Sequence, residues 1–209
     1  MAELEIKKYV TGMFQQNTWL LSDGETSLLF DCGDDITATL KSEGITPTAL
    51  LLTHCHLDHI WDLPKFQTGF PDVPVHVHEA DLELLEALPE QSQMFGMPLE
   101  LDAPARPTNL VSDGQTLNFG QIEVKVVHVD GHTEGGVCYI VDNSHCFSGD
   151  MLFAGGVGRT DLPGGNPQKM RESLRRMMHF DSELSVYSGH GPVTSIGQEN
   201  ATNPYLQGI

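Results

Sequence analysis

Residues 53 to 59 read Thr-His-Cys-His-Leu-Asp-His, directly after the apolar run Ala49-Leu50-Leu51-Leu52. Three of the ten histidines in 209 residues therefore fall within six positions around one carboxylate. A short apolar run of this kind is expected as a buried strand, so the histidines sit on the segment leaving it. Neutral imidazole and carboxylate are good ligands for divalent metals. Four clustered groups do not close readily around a single ion, and further ligands are expected from elsewhere in the chain.

The rest of the pattern is strand-rich. LEIKKYV, NTWLLS and SLLFD read as strands separated by turns, with Ser22-Asp23-Gly24 and Asp31-Cys32-Gly33 as turn signals. A helix is expected from about Asp35 to Ser42, stopped by Gly44, and then the strand ALLLT. VPVHVH reads as a strand, EADLELLEAL as a helix, and Pro89 to Pro107 as an irregular excursion. In the second half, LNFG, IEVKVVHV, VCYIVD and HCFSGD repeat the strand habit before a Gly-rich loop from Ala154 to Gly165. A helix opens at Asn166-Pro167, where Asn caps and Pro suits the first helical position, and runs to about His179. The strand LSVYSGH then delivers His190. Both halves thus give several strands followed by helix. The expected fold is α/β, two sheets packed face to face with helices outside and functional groups on loops at one edge. No linker or fixed-period repeat divides the chain, so residues 1–209 are expected to form a single domain.

Three downstream stretches each end an expected strand with His or Asp beside glycine: DGHTEGG with His132, FSGDMLF with Asp150, and SGHGP with His190. Glycine lets backbone turn sharply and crowd close to an ion. Together with His54, His56, Asp58 and His59 they make seven potential ligands on four segments, a set sized for two metals.

In these seven positions the chain resembles the metallo-β-lactamase superfamily, whose HxHxDH motif stands as His54-Cys55-His56-Leu57-Asp58-His59 and whose later His, Asp and His match His132, Asp150 and His190. The resemblance covers nearly the whole chain. It implies a four-layer αββα sandwich with the metal site at one edge of the two sheets. It implies further that His54, His56 and His132 hold one metal, that Asp58, His59 and His190 hold the second, and that Asp150 bridges them, with Asp58 also counted as catalytic. Two divalent cations are the expected cofactor, zinc first, with iron and manganese suited to the same donors. Such a pair lowers the pKa of a shared water and polarises a carbonyl, which is hydrolytic machinery.

Within the superfamily, GRTDLPGGN from Gly158 and GHGPVTSIGQENATNPYL from Gly189 look most like the bacterial glyoxalase II group, which hydrolyses S-lactoylglutathione and related thioesters. Asp150 fits that group, since the true β-lactamases usually carry Cys or Ser there, and His56 separates the chain from the flavodiiron branch. The chain stops about twenty residues after His190, so it is expected to resemble the shorter branch without the C-terminal helical glutathione-binding domain. The competing expectation is a persulfide dioxygenase with one iron, using the equivalents of His54, His132 and Asp150; a lactonase is a third use of the fold.

Twenty-nine acids against eleven bases give a net charge of -18. That charge disfavours nucleic acid and anionic lipid as partners. No signal-peptide core or membrane-length apolar run is visible, and a cytoplasmic enzyme acting on a small-molecule thioester is expected. Cys32, Cys55, Cys138 and Cys146 show no CxxC pair and are expected as free thiols, Cys55 as a small filler between two ligands. His76 and His78 are expected as strand residues, His128 as core or surface, and His145 and His179 as surface. Lys169, Arg171, Arg175 and Arg176 are expected as a solvated basic face. GGVGRT lacks the first Gly and the Lys of a P-loop, and neither a GxSxG elbow nor an HExxH helix is present. Trp61 receives no role.

Overall fold

The structure is a computed structural model that describes residues 4–97, 99 and 106–209. The chain divides into two units, residues 1–110 and 111–209. Each is built around a six-stranded mixed sheet.

In the first unit the elements run β1 (Glu5–Thr11), β2 (Gln16–Ser22), β3 (Ser27–Phe30), α1 (Ile36–Glu43), β4 (Ala49–Leu51), α2 (Leu57–Ile60), α3 (Leu63–Gly69), β5 (Val75–His78), α4 (Leu82–Glu86), α5 (Leu88–Met94) and β6 (Asn109–Val111), whose last residue is the first of the second unit. The sheet keeps chain order from β1 to β6. β1, β2 and β3 pair antiparallel, whereas β4 pairs parallel to β3, and β5 parallel to β4. A parallel neighbour demands a crossover, and α1 supplies the one between β3 and β4. Its end follows the sequence signal: Gly44 adopts the left-handed conformation at φ 69°, and its N–H bonds back to Leu40 and Lys41 carbonyls. Strands β4 and β5 are buried at every position, whereas β1 at the sheet edge alternates with exposed residues. Burial on both faces is what the unbroken apolar run of β4 encodes, whereas β5 alternates valine with histidine and buries both. Leu29, Leu50, Leu52, Ile60, Leu63 and Phe66, all fully buried, form the middle of this unit's core.

The second unit runs β7 (Thr116–Phe119), β8 (Ile122–His128), β9 (Val137–Val141), β10 (His145–Gly149), β11 (Leu152–Phe153), β12 (Gly156–Val157), α6 (Pro167–Met177), β13 (Ser185–Ser188), β14 (Thr194–Ser195) and α7 (Ile196–Thr202). Strands β7 to β10 form an antiparallel meander; β13 then lies parallel to β10 after the α6 crossover, with β14 antiparallel outside it. Asn166 caps α6 by accepting bonds from the N–H groups of Gln168 and Lys169, with Pro167 at the first turn, as the sequence signals. Met170, Leu174 and Met177 turn the buried side of α6 onto Val127, Cys138, Ile140 and Val186.

Several elements differ from expectation. EADLELLEAL is not one helix: a 3₁₀ turn at Glu79–Asp81 precedes α4, and α5 starts anew at Leu88. Pro89 explains the break, because it cannot donate the next helical bond but suits a first turn. The excursion from Pro89 is therefore helical as far as Met94, while its residues 98 and 100–105 lie outside the described ones. The Gly-rich loop contains β12, which pairs with β11. Helix α6 ends at Met177, short of His179. No helix among the described residues is long and apolar enough to cross a membrane.

Candidate metal centre

Most of the candidate groups in both units follow the carboxyl ends of strands that meet in parallel; His132, after the antiparallel β8, is the exception. In the first unit, β3 and β4 end side by side, with Leu51 opposite Phe30 and the Asp31 N–H bonded to the Leu51 carbonyl at 3.1 Å. Asp31 therefore stands next to the segment that carries His54, His56, Asp58 and His59. That segment is not a plain loop. His56 caps α2 with extended backbone, and Asp58 and His59 lie in the helix's first turn. His54, His56 and His59 are buried, at 2%, 6% and 0% exposure. Their rings cluster, with centroids 5.0 Å apart for His54 and His56 and 4.0 Å for His54 and His59. His59 Nε2 lies 3.8 Å from Asp58 Oδ2.

Asp31 organises this cluster, although in the sequence it reads as a turn residue. Its backbone is left-handed at φ 65° and its side chain is buried. Oδ1 accepts the Thr53 N–H at 2.7 Å, and Oδ2 accepts the Thr53 hydroxyl and His59 Nδ1, both at 2.8 Å. Thr53 Oγ1 in turn lies 3.1 Å from His54 Nδ1. A ring nitrogen against a carboxylate carries the proton, so His59 presents its lone pair at Nε2.

In the second unit, His132 follows β8, Asp150 follows β10 and His190 follows β13. The last two strands are parallel neighbours, and the Gly189 N–H bonds the Gly149 carbonyl at 2.8 Å. Adjacent strand ends bring His190 Nε2 to 3.5 Å from Asp150 Oδ2, with His132 Nε2 at 3.7 Å from the same oxygen. His132 Nδ1 donates to the Arg159 carbonyl at 2.7 Å, which again places the lone pair on Nε2. Two glycines make this packing possible. A Cβ on Gly131, at φ +127°, would sit 2.2 Å from the Met170 backbone nitrogen, and one on Gly158 would sit 1.9 Å from the Asp150 carbonyl and 2.8 Å from His132 Nδ1. The GGVGRT segment therefore serves as backing for two candidate ligands.

These donors suit a divalent metal. Ligand bonds of about 2.1 Å at a tetrahedral angle separate two donor atoms by roughly 3.4 Å. The spacings of 3.5, 3.7 and 3.8 Å within the units are close to that value and too long for hydrogen bonds. Imidazole nitrogens whose tautomer is set by a carboxylate or a carbonyl are the usual outer support of such ligands.

The remaining sequence candidates lie elsewhere. His76 and His78 belong to β5 as expected, and burial lowers the His76 pKa. His128 Nε2 lies 2.8 Å from the Glu134 carbonyl oxygen, and exposed His179 bonds the Arg175 carbonyl. His145 differs from its surface expectation: it is half-buried, with Nδ1 3.1 Å from the Tyr187 hydroxyl, and burial lowers its pKa. All four cysteines are free and buried, and burial pushes the Cys55 thiol well above its ordinary pKa, so it behaves as an inert filler. On α6, Lys169 pairs with Asp130 at 2.9 Å and Arg176 with Asp113 at 3.0 Å, while Arg171 and Arg175 are exposed. Trp61 borders a cleft of the first unit with Met13, Phe14, Asp34, Asp58 and Met97.

Residues 11–190 match the profile of the metallo-beta-lactamase superfamily. The hydroxyacylglutathione hydrolase GloC of Haemophilus influenzae is 35% identical over 201 residues, covering 92% of this chain and 93% of that protein. Among solved structures, BLEG-1, a B3 metallo-beta-lactamase, superposes with a TM-score of 0.87 at 35% identity, covering 98% of this chain and 100% of that one. TTHA1623 in a di-iron-bound form superposes at 0.85 with 36% identity, covering 96% and 100%. A profile match over most of the length, joined to relatives alike from end to end, places the chain in the metallo-β-lactamase superfamily, with the α/β fold of that family.

Proposed function

We propose that this metallo-hydrolase cleaves a glutathione-type thioester, S-lactoylglutathione or a close relative, to a carboxylic acid and a thiol, as one domain using two divalent cations. In this proposal His54, His56 and His132 hold one cation, Asp58, His59 and His190 hold the other, and Asp150 bridges them. The observation that carries the metal assignment is the pair of histidines, His59 and His132, whose Nδ1 atoms donate to Asp31 and to the Arg159 carbonyl and so fix the lone pair at Nε2. The substrate class is supported by the likeness to GloC, and a dinuclear centre by the likeness to the di-iron protein TTHA1623. Bound cations supply an acidified water and a polarised carbonyl.

The chain's own residues supply the rest. Asp58, with 19% of its side chain exposed, is the most accessible of the four candidate ligands in its segment. Its carboxylate is the group in that segment that takes a proton from the attacking water. His54, His56 and His59 are buried, and imidazole binds a cation through its neutral form, without adding charge that would repel it. Because the ligands carry only carboxylate charge against two divalent cations, the centre stays positive and favours an anionic transition state.

Elemental analysis of the purified protein, followed by assays on S-lactoylglutathione, a lactone, a β-lactam and glutathione persulfide, tests this. Two metals per chain with thioester hydrolysis as the fastest reaction is the expected result. One iron per chain with oxygen uptake on the persulfide would replace it with the dioxygenase, and a faster β-lactam or lactone would move the substrate class.

A further inference from the structure

His54 and His59 are held at their rings, through Thr53 and Asp31. At His56 the two flanking peptide groups are held as well. The Gln91 carboxamide, on α5, reaches both: Oε1 accepts the Leu57 N–H at 2.9 Å, and Nε2 donates to the Cys55 carbonyl at 3.0 Å. The second Nε2 proton goes to the Leu84 carbonyl at 2.8 Å, which anchors the amide to the segment before α5. From the other side, Asp81 Oδ2 accepts the Cys55 N–H at 2.9 Å. Gln91 is only 8% exposed, and burying an amide costs free energy unless its donors and acceptor are satisfied. Here one acceptor site and both donors are used, a combination that among ordinary side chains only a carboxamide offers. Asn in its place would be one methylene short.

We propose that Gln91 is a positioning residue for His56: it fixes the peptide planes on either side of this histidine at the point where the chain passes from extended loop into α2. The proposal rests on His56 being a metal ligand, as stated above. Ligand geometry must be held to about 0.5 Å to work, and a histidine whose flanking peptides swing does not meet that tolerance. It also gives a purpose to α5. The restart of the helix at Pro89 brings Gln91 over the ligand segment, inside a stretch that carries no ligand of its own.

The test uses the full chain, stripped of metal and titrated with cobalt(II), whose visible absorption reports ligand geometry. Two variants are compared: Gln91→Glu, which keeps the acceptor and shape but loses the neutral donors, and Gln91→Met, which loses both. Circular dichroism and thermal unfolding of the metal-free forms establish that they fold; Gln91→Glu carries the test if Gln91→Met does not fold. The expected result is a 10- to 100-fold weaker affinity for one of the two cobalt equivalents, the size typical of lost outer-shell support, with a changed absorption band and faster hydrogen exchange at the Leu57 amide. Unchanged cobalt affinity and an unchanged band in folded variants overturn the positioning role while leaving the metal centre standing. A wild-type chain that takes up no cobalt overturns the metal centre itself, and the role of Gln91 with it.

Discussion

Replacing Asp31 by Asn changes one atom type in a buried carboxylate and should separate the chemistry of the ligands from the stability of the fold. Asn tolerates the left-handed backbone that Asp31 adopts at φ 65°, so the change adds little strain. Its carbonyl can still accept the Thr53 N–H, as Asp31 Oδ1 does at 2.7 Å. Its amide then faces His59 Nδ1, which is 2.8 Å from Oδ2 in the native chain. Two donors cannot meet there, so the imidazole moves its proton to Nε2, the atom proposed to bind metal. In the metal-free protein the cost is about one charge-assisted hydrogen bond, roughly 1.5 to 3 kcal/mol, partly recovered by the new amide-to-ring bond. With metal the cost is larger, because forcing the wrong tautomer back weakens the ion by about 10- to 100-fold, or roughly 1.4 to 2.7 kcal/mol more. The measurement is chelator competition for zinc affinity, alongside thermal unfolding with and without metal. The expected signature is a modest loss of stability in the metal-free form and a wider gap in the loaded form. Equal losses in both forms would refute the tautomer argument. Asp31→Ala is a harsher comparison. It strips acceptors from the Thr53 N–H, the Thr53 hydroxyl and His59 Nδ1, at about 1 to 3 kcal/mol each, and puts a Cβ residue without local hydrogen bonding in the left-handed region. That sum rivals a total stability of about 5 to 15 kcal/mol, so this variant is expected to be largely unfolded.

Asp58→Ala and Asp150→Ala are each expected to abolish the proposed thioester hydrolysis while circular dichroism stays native, since one removes a proposed ligand and the other the proposed bridge; full activity in the Asp150 variant would show the bridge to be misassigned. Exhaustive chelation should remove activity, and zinc or manganese should restore part of it; activity that survives verified metal loss would exclude metal-assisted hydrolysis. Gly131→Ala should destabilise by more than about 3 kcal/mol, because its Cβ meets the Met170 backbone at 2.2 Å on a backbone with φ +127°; a melting temperature equal to wild type would contradict that packing.

The parts of the site that are legible in the sequence are those whose chemistry is local. His54, His56, Asp58 and His59 announce themselves by spacing, and His132, Asp150 and His190 by glycines at strand ends. Their supports are not legible, because each acts across a distance in sequence. Asp31 is 28 residues from His59, and in its own neighbourhood an aspartate between a strand and Cys32-Gly33 looks like any turn. Gln91 is 34 residues from Leu57 and follows a proline, which made its surroundings look irregular. Strand register decides both cases: nothing local in Ser27–Phe30 says that it will pair parallel with Ala49–Leu51, yet that pairing is what sets Asp31 beside Thr53. The same limit explains His145, whose partner Tyr187 comes from the parallel neighbour β13.

Each unit reaches its cluster of candidate ligands by the same device, taken separately. An antiparallel meander puts successive strand ends at opposite edges of a sheet, so it cannot by itself set two chain segments side by side at one edge while both are leaving it. A single helical crossover to a parallel neighbour does so: β3 and β4 release Asp31 and the His54 segment together, and β10 and β13 release Asp150 and His190 together. Residues just past the carboxyl ends of parallel strands are no longer committed to ladder hydrogen bonds, and their side chains can turn towards one another, which is why crevices there so often bind ligands. The approach of His190 to Asp150 Oδ2 depends on this in the second unit, as the carboxylate shared by Thr53 and His59 does in the first. The apolar strands thus do more than fill a core: by fixing which strand ends are neighbours, Leu28 to Phe30 against Ala49 to Leu51, and His145 to Phe147 against Ser185 to Tyr187, they decide which acids and imidazoles can meet.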